Sequence, residues 1–123
     1  MIYTYNKLVR DKIVENIKNS GRNPSYRIMD NEEYLKELNK KLLEEAHEFV
    51  EENSIEELAD VFEVIESIIK IKNINIEEVR KYQHIKKEKN GGFDKKIYLI
   101  NVEQDNIDEK EEKELKKDWR NKL

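Results

Sequence analysis

From Ile55 to Lys72 the apolar residues fall into two helical stripes: Ile55, Leu58, Phe62, Ile65 and Ile69 on one side, and Val61, Val64, Ile68 and Ile71 on the other. Side chains three and four apart share a helix face, so this spacing predicts a helix over roughly 55–72 and not a strand. A helix apolar on two sides must be covered twice, which puts it at the centre of a bundle or at a subunit interface. Just before it, from Asp30 to about Glu52, Leu35, Leu38, Leu42, Ala46 and Phe49 form a single stripe, the pattern of a long amphipathic helix. Both helices carry capping-box starts, Asp30 with Glu33 and Ser54 with Glu57, and Asn53 and Ser54 leave room only for a tight antiparallel turn between them.

The remaining segments are read by the same rules. Val9, Ile13 and Ile17 predict a short helix over 6–20, ended by Gly21. A third core helix is expected over 76–89, stopped by Asn90, Gly91 and Gly92. The charged stretch 105–123, with Leu115 and Trp119 as a sparse stripe, predicts a solvated helix docking by one edge. Tyr26 to Met29 and Ile97 to Ile100 are β-prone, and a short β-hairpin is expected near 26–29 and 96–101. The fold class is therefore mainly α, a bundle of about four to five helices. At 123 residues it is read as one domain, 1–123, with its core over about 5–100.

Composition narrows the function. Charged residues make up 42% and hydrophobic ones 37%, with a net charge of -4 and both signs interleaved. That balance argues against general affinity for nucleic acid or an anionic membrane. Without cysteine there is neither a disulfide framework nor a zinc-thiolate site. Glu63, Glu66, Lys70 and Lys72 break the most apolar stretch, so no membrane span is expected, and the start MIYTYNKLVRDK lacks the apolar core of a signal peptide. A cytoplasmic location is the expectation.

Each of the two central helices also bears an acidic run, Glu44 to Glu48 and Glu56 to Asp60. At ~100° per residue, Glu45 falls on the margin of the first stripe beside Leu38, Glu48 lies one step further round, and Glu44 points away into solvent. On the next helix Glu57 falls inside the Val61, Val64 and Ile68 stripe and Asp60 on its edge, while Glu56, Glu63 and Glu66 cluster opposite. A carboxylate within an apolar stripe is costly unless it is paired, protonated or metal-bound, and four together repel. A divalent cation removes both penalties. All-oxygen ligands suit Mg²⁺, or Mn²⁺, better than zinc. The alternative is that these are ordinary surface acids paired with Lys40, Lys41 or Lys70. Lys7, Arg10 and Lys12 before this core, and Lys86, Lys87 and Lys89 after it, supply the cations a polyphosphate would need beside a metal. His47 and His84 stand alone, with no ligand or nucleophile pattern around them.

At these residues the chain resembles the MazG-like, all-α nucleoside triphosphate pyrophosphatase superfamily, whose signature is EExxE followed on the next helix by ExxD. Here these are Glu44-Glu45-Ala46-His47-Glu48 and Glu57-Leu58-Ala59-Asp60. KLVRDKI at 7–13, KLLEEAHEF at 41–49, EELADVFEVIE at 56–66 and GGF at 91–93 look like the phosphoribosyl-ATP pyrophosphohydrolase-like branch. The chain departs from that pattern at Asn90, where an arginine is usual before the glycine pair. The resemblance implies a Mg²⁺-dependent hydrolase of acid anhydrides, cleaving a nucleotide between its α and β phosphates to a monophosphate and pyrophosphate. It implies Glu45, Glu48, Glu57 and Asp60 as metal ligands, Glu48 (with Glu45 beside it) as the catalytic carboxylate that orients or deprotonates water, and Lys7, Arg10, Lys12 and Lys86 as phosphate contacts. It also implies assembly as a homodimer or homotetramer. Two alternatives remain open: hydrolysis of phosphoribosyl-ATP in histidine synthesis, and a non-catalytic helical module for oligomerisation or nucleotide binding.

Overall fold

In the computed structural model, which describes residues 1–106 and 108–122, the chain forms five helices: α1 Ile13–Asn19, α2 Asn31–Glu52, α3 Ile55–Ile71, α4 Ile76–Asn90 and α5 Glu109–Lys122. The mainly α class is the observed one. Two compact units are distinguished, Met1–Asn75 and Ile76–Leu123.

The first unit is organised by the α2–α3 hairpin. Asp30 Oδ1 accepts from the Glu33 backbone N–H at 2.8 Å and starts α2; Ser54 Oγ accepts from the Glu57 N–H at 3.1 Å and starts α3. Neither capping box closes reciprocally. The Glu33 carboxylate takes a two-pronged contact from Arg27 instead, both bonds at 2.6 Å, and the Glu57 carboxylate is turned into the acidic cluster described below. Between the helices, Asn53 adopts a left-handed φ of 52°, and its N–H donates to the Phe49 carbonyl at 2.7 Å. Asparagine tolerates that conformation better than other non-glycine residues, so α2 ends and α3 begins within two residues, running back antiparallel.

Leu38 of α2 and Val64 of α3 are the buried apolar residues of the hairpin, each contributing about 2 kcal/mol, and Leu35, Leu42, Ala46, Phe49, Val61, Ile68 and Ile71 are half-buried around them. The stripe predicted for α2 is thus the one that packs. On α3 the Val61, Val64, Ile68 and Ile71 stripe does so, and of the other stripe only Ile69 is half-buried. Ile55, Leu58, Phe62 and Ile65 stay exposed, Phe62 by 60%.

Two expectations need correction. Helix α1 does not begin at Asn6. Asn6 has a φ of 48°, outside the right-handed helical range, and the helix is entered through the Ile13 N–H on the Arg10 carbonyl at 3.1 Å and the Asn16 N–H on the Lys12 carbonyl at 2.9 Å. Residues 1–10 run without regular structure, and Val9 is exposed. The expected β-hairpin is also absent: no strand occurs among the described residues. Met29 leads directly into the Asp30 cap of α2. Lys96 turns to a positive φ of 57° as its N–H meets the Phe93 carbonyl, and Ile97, Tyr98 and Ile100 are exposed. A lone two-stranded ribbon with no covered face is marginal in water, and β-propensity alone does not hold one together.

In the second unit, α4 runs to Asn90 and is followed by Gly91 at a φ of 84°, whose N–H returns to the Lys87 carbonyl at 2.8 Å. Asp108 caps α5 by accepting from the Glu111 N–H at 2.8 Å. The tail helix therefore starts later than 105, and its sparse stripe is seen as a half-buried Leu115 and a largely exposed Trp119. The last expected position, Leu123, lies outside the described residues.

Candidate metal centre

Antiparallel packing of α2 on α3 brings the end of one acidic run against the start of the other. Glu45, Glu57 and Asp60 each offer a carboxylate oxygen within 4.8 Å of the other two. Glu45 is the most enclosed, 8% exposed and classed with Leu38 and Val64 among the buried residues of the hairpin; Glu57 and Asp60 are half-buried. Glu45 Oε2 and Glu57 Oε2 are both shielded from solvent, and neither has a hydrogen-bond partner. Orphaned buried carboxylate oxygens are rare in folded proteins because each forfeits its hydration. Protonation, a shared proton with the neighbouring Glu48 or a bound cation would each relieve them.

The electrostatics agree. Burial pushes the Glu45 carboxyl above its ordinary value, reinforced by the charges of Glu48 and Asp60 and opposed by Lys41, whose Nζ stands 3.5 Å from Glu45 Oε1. Glu57 is raised as well, first by burial and then by Glu48, Asp60 and Glu45. Glu48 is half-buried and acts on both groups, yet it is not one of the three converging acids. The four inward carboxylates of the sequence therefore divide into a converging trio and a neighbour.

Glu44 differs from its expected place in open solvent. It is half-buried and accepts from Lys7 Nζ at 2.8 Å, which holds its carboxyl below the usual range and raises Lys7 in return. Helical angle excluded Glu44 from the cluster correctly, but it gave no sign of a partner 37 residues away. Arg10 behaves similarly, with Nη2 donating to Asp60 Oδ1 at 2.7 Å. Two of the candidate phosphate contacts therefore rest on or beside the acidic cluster. Lys12 is exposed at the residue preceding α1. Lys86 is exposed on α4 of the second unit, and the site as built comes from the first unit alone. Of the alternative pairings, Lys41 does reach Glu45, while Lys40 goes to Glu37 at 3.2 Å. His47 is exposed, and His84 stands only near Glu88, at 4.0 Å.

Three carboxylates, two with unpartnered oxygens, fit a hard divalent cation of the Mg²⁺ or Mn²⁺ type in both donor chemistry and charge. No helix is long and apolar enough to cross a membrane among the described residues. Comparison of the chain with protein-family models, with curated proteins and with solved structures finds no match.

Proposed function

We propose that this chain is a Mg²⁺-dependent nucleotide pyrophosphohydrolase, cleaving a nucleoside triphosphate or related nucleotide between its α and β phosphates. The observation that carries the reading is Glu45: a buried carboxylate with an unpartnered oxygen, converging with Glu57 and Asp60 from the next helix. A divalent cation would relieve the charge of such an arrangement, and a site that binds a hard cation next to Lys7 and Arg10 suits a polyphosphate. The motif resemblance supplies the reaction type.

In this reading Glu45, Glu57 and Asp60 hold the cation. When bound, it supplies Lewis-acid polarisation of phosphate oxygens and a water of lowered pKa. Glu48, half-buried beside Glu57 and outside the converging trio, would accept a proton from the attacking water and orient it. Lys7 and Arg10 meet the phosphate charge. The exposed Ile55, Leu58, Phe62 and Ile65 stripe supports a homodimer: a two-fold axis would pair α3 with its copy antiparallel, bringing Glu56 near the C-terminal Lys70 of the second copy.

The test is pyrophosphate release by the purified protein with Mg²⁺, across canonical, deoxy, oxidised and phosphoribosyl-linked nucleotides. Turnover of at least one is expected. A folded protein that turns over none overturns the enzymatic reading, and exclusive turnover of the phosphoribosyl-linked substrate assigns the chain to histidine synthesis.

A further inference from the structure

The segment before α1 has no regular structure, yet it is tied to both acidic helices, Lys7 to Glu44 of α2 and Arg10 to Asp60 of α3. Both ion pairs sit at the rim. The lysine and arginine side chains are 54% and 55% exposed and their acids 35% and 38%, whereas the unpartnered oxygens of Glu45 and Glu57 are fully shielded. Exposed pairs of this kind are weak and exchange readily. Arg10 also uses one guanidinium nitrogen on one oxygen of Asp60, leaving most of its fork of donors free for a second anion.

We propose that residues 7–10 form a counter-ion strap that neutralises the rim acids of the site and exchanges partners when a metal-bound phosphate enters. Asp60 passes from Arg10 to the cation, and Arg10 passes from Asp60 to a phosphate oxygen. Lys7, anchored on Glu44 just outside the converging trio, keeps the strap in reach during the exchange. The swap is balanced in charge, since a guanidinium leaves one carboxylate as a cation reaches it and then meets the anion that the cation brings. Glu45 and Glu57, which the strap does not neutralise, provide the drive for the cation to enter. This inference rests on the metal-site reading above.

Mn²⁺ alone, titrated by calorimetry, tests it without turnover. Arg10→Gln removes a competitor for Asp60 and is expected to tighten Mn²⁺ binding about fivefold, the worth of one exposed ion pair; Arg10→Lys should restore most of the wild-type affinity. Trypsin cleavage after Arg10, whose side chain is 55% exposed, should speed up with Mn²⁺ alone and slow again when inorganic pyrophosphate is added. Weaker or unchanged Mn²⁺ binding in Arg10→Gln, with wild type binding normally, overturns the strap and leaves the metal site standing. Absence of Mn²⁺ binding in wild type overturns both.

Discussion

The two faces of α3 carry apolar residues at the same helical spacing, and they meet opposite fates. The inner face sets Val61, Val64 and Ile68 against α2 and carries Glu57 and Asp60 in line with them; the outer face leaves Ile55, Leu58, Phe62 and Ile65 exposed. The inner face has too much charge for its burial, and the outer face too little for its exposure. On the proposed function each imbalance has its complement, a cation inside and a second apolar surface outside.

Breaking the inner face chemically should have the largest effect. Glu57→Gln and Asp60→Asn are expected to lower pyrophosphate release by at least about 100-fold while circular dichroism stays helical, because ligand loss exceeds the usual cost of losing a supporting residue. Glu56→Gln and Glu63→Gln, on the far side of the same helix, should stay within about twofold of wild type. Equal sensitivity of the two pairs would erase the distinction between the faces. Next comes packing: Val64→Ala should cost about 2 kcal/mol in urea unfolding, and Ile65→Ala, one position along but exposed, well under half of that in dilute protein. The outer face is read by assembly. Phe62→Asp is expected to weaken self-association at least about tenfold in sedimentation, without changing Mn²⁺ affinity. A wild-type chain that sediments as a monomer at high concentration removes the self-association claim.

The smallest effect is electrostatic and confined to the inner face. Glu45 and Glu57 titrate above the ordinary 4.5 in the folded chain. Between 4.5 and their raised values the folded state therefore binds more protons than the unfolded state, and stability falls as pH rises through that window. The metal-free Tm should rise as pH is lowered through that window toward 4.5, and saturating Mg²⁺ should remove that rise. Below the window the trend reverses, because Glu33 and Glu44 are held low by Arg27 and Lys7 and lose those contributions as they protonate. A metal-free Tm that falls steadily all the way down to pH 4.5, with no rise above it, would contradict the raised carboxyls.

Much of the hairpin was legible because its signals are local. Asp30 and Ser54 cap the helices they precede, and the Leu35 to Phe49 stripe follows from the helical repeat, as does the inward turn of Glu45, Glu57 and Asp60. Glu48 was placed inward by the same angle, but only the packed helices separate it from the converging trio. The pairing of Lys7 with Glu44 and Arg10 with Asp60 spans 37 and 50 residues, a separation over which no periodicity carries information. For the same reason the start of α1 and the missing hairpin were beyond a local reading. Val9 fits a helical stripe and Tyr26 to Met29 fits a strand, but neither segment finds a partner to cover it.

By itself the sequence determined that this chain is helical, where its two central helices begin, and which acids turn toward apolar neighbours, since caps and a 3.6-residue repeat act between residues a turn apart. Only the tertiary structure decided which stripe of α3 became core, that Glu45 is the buried acid among the described residues, and that Lys7 and Arg10 rest on the rim. Those outcomes depend on how α2 and the N-terminal segment meet α3 in space, and burial and ion pairing are properties of that meeting.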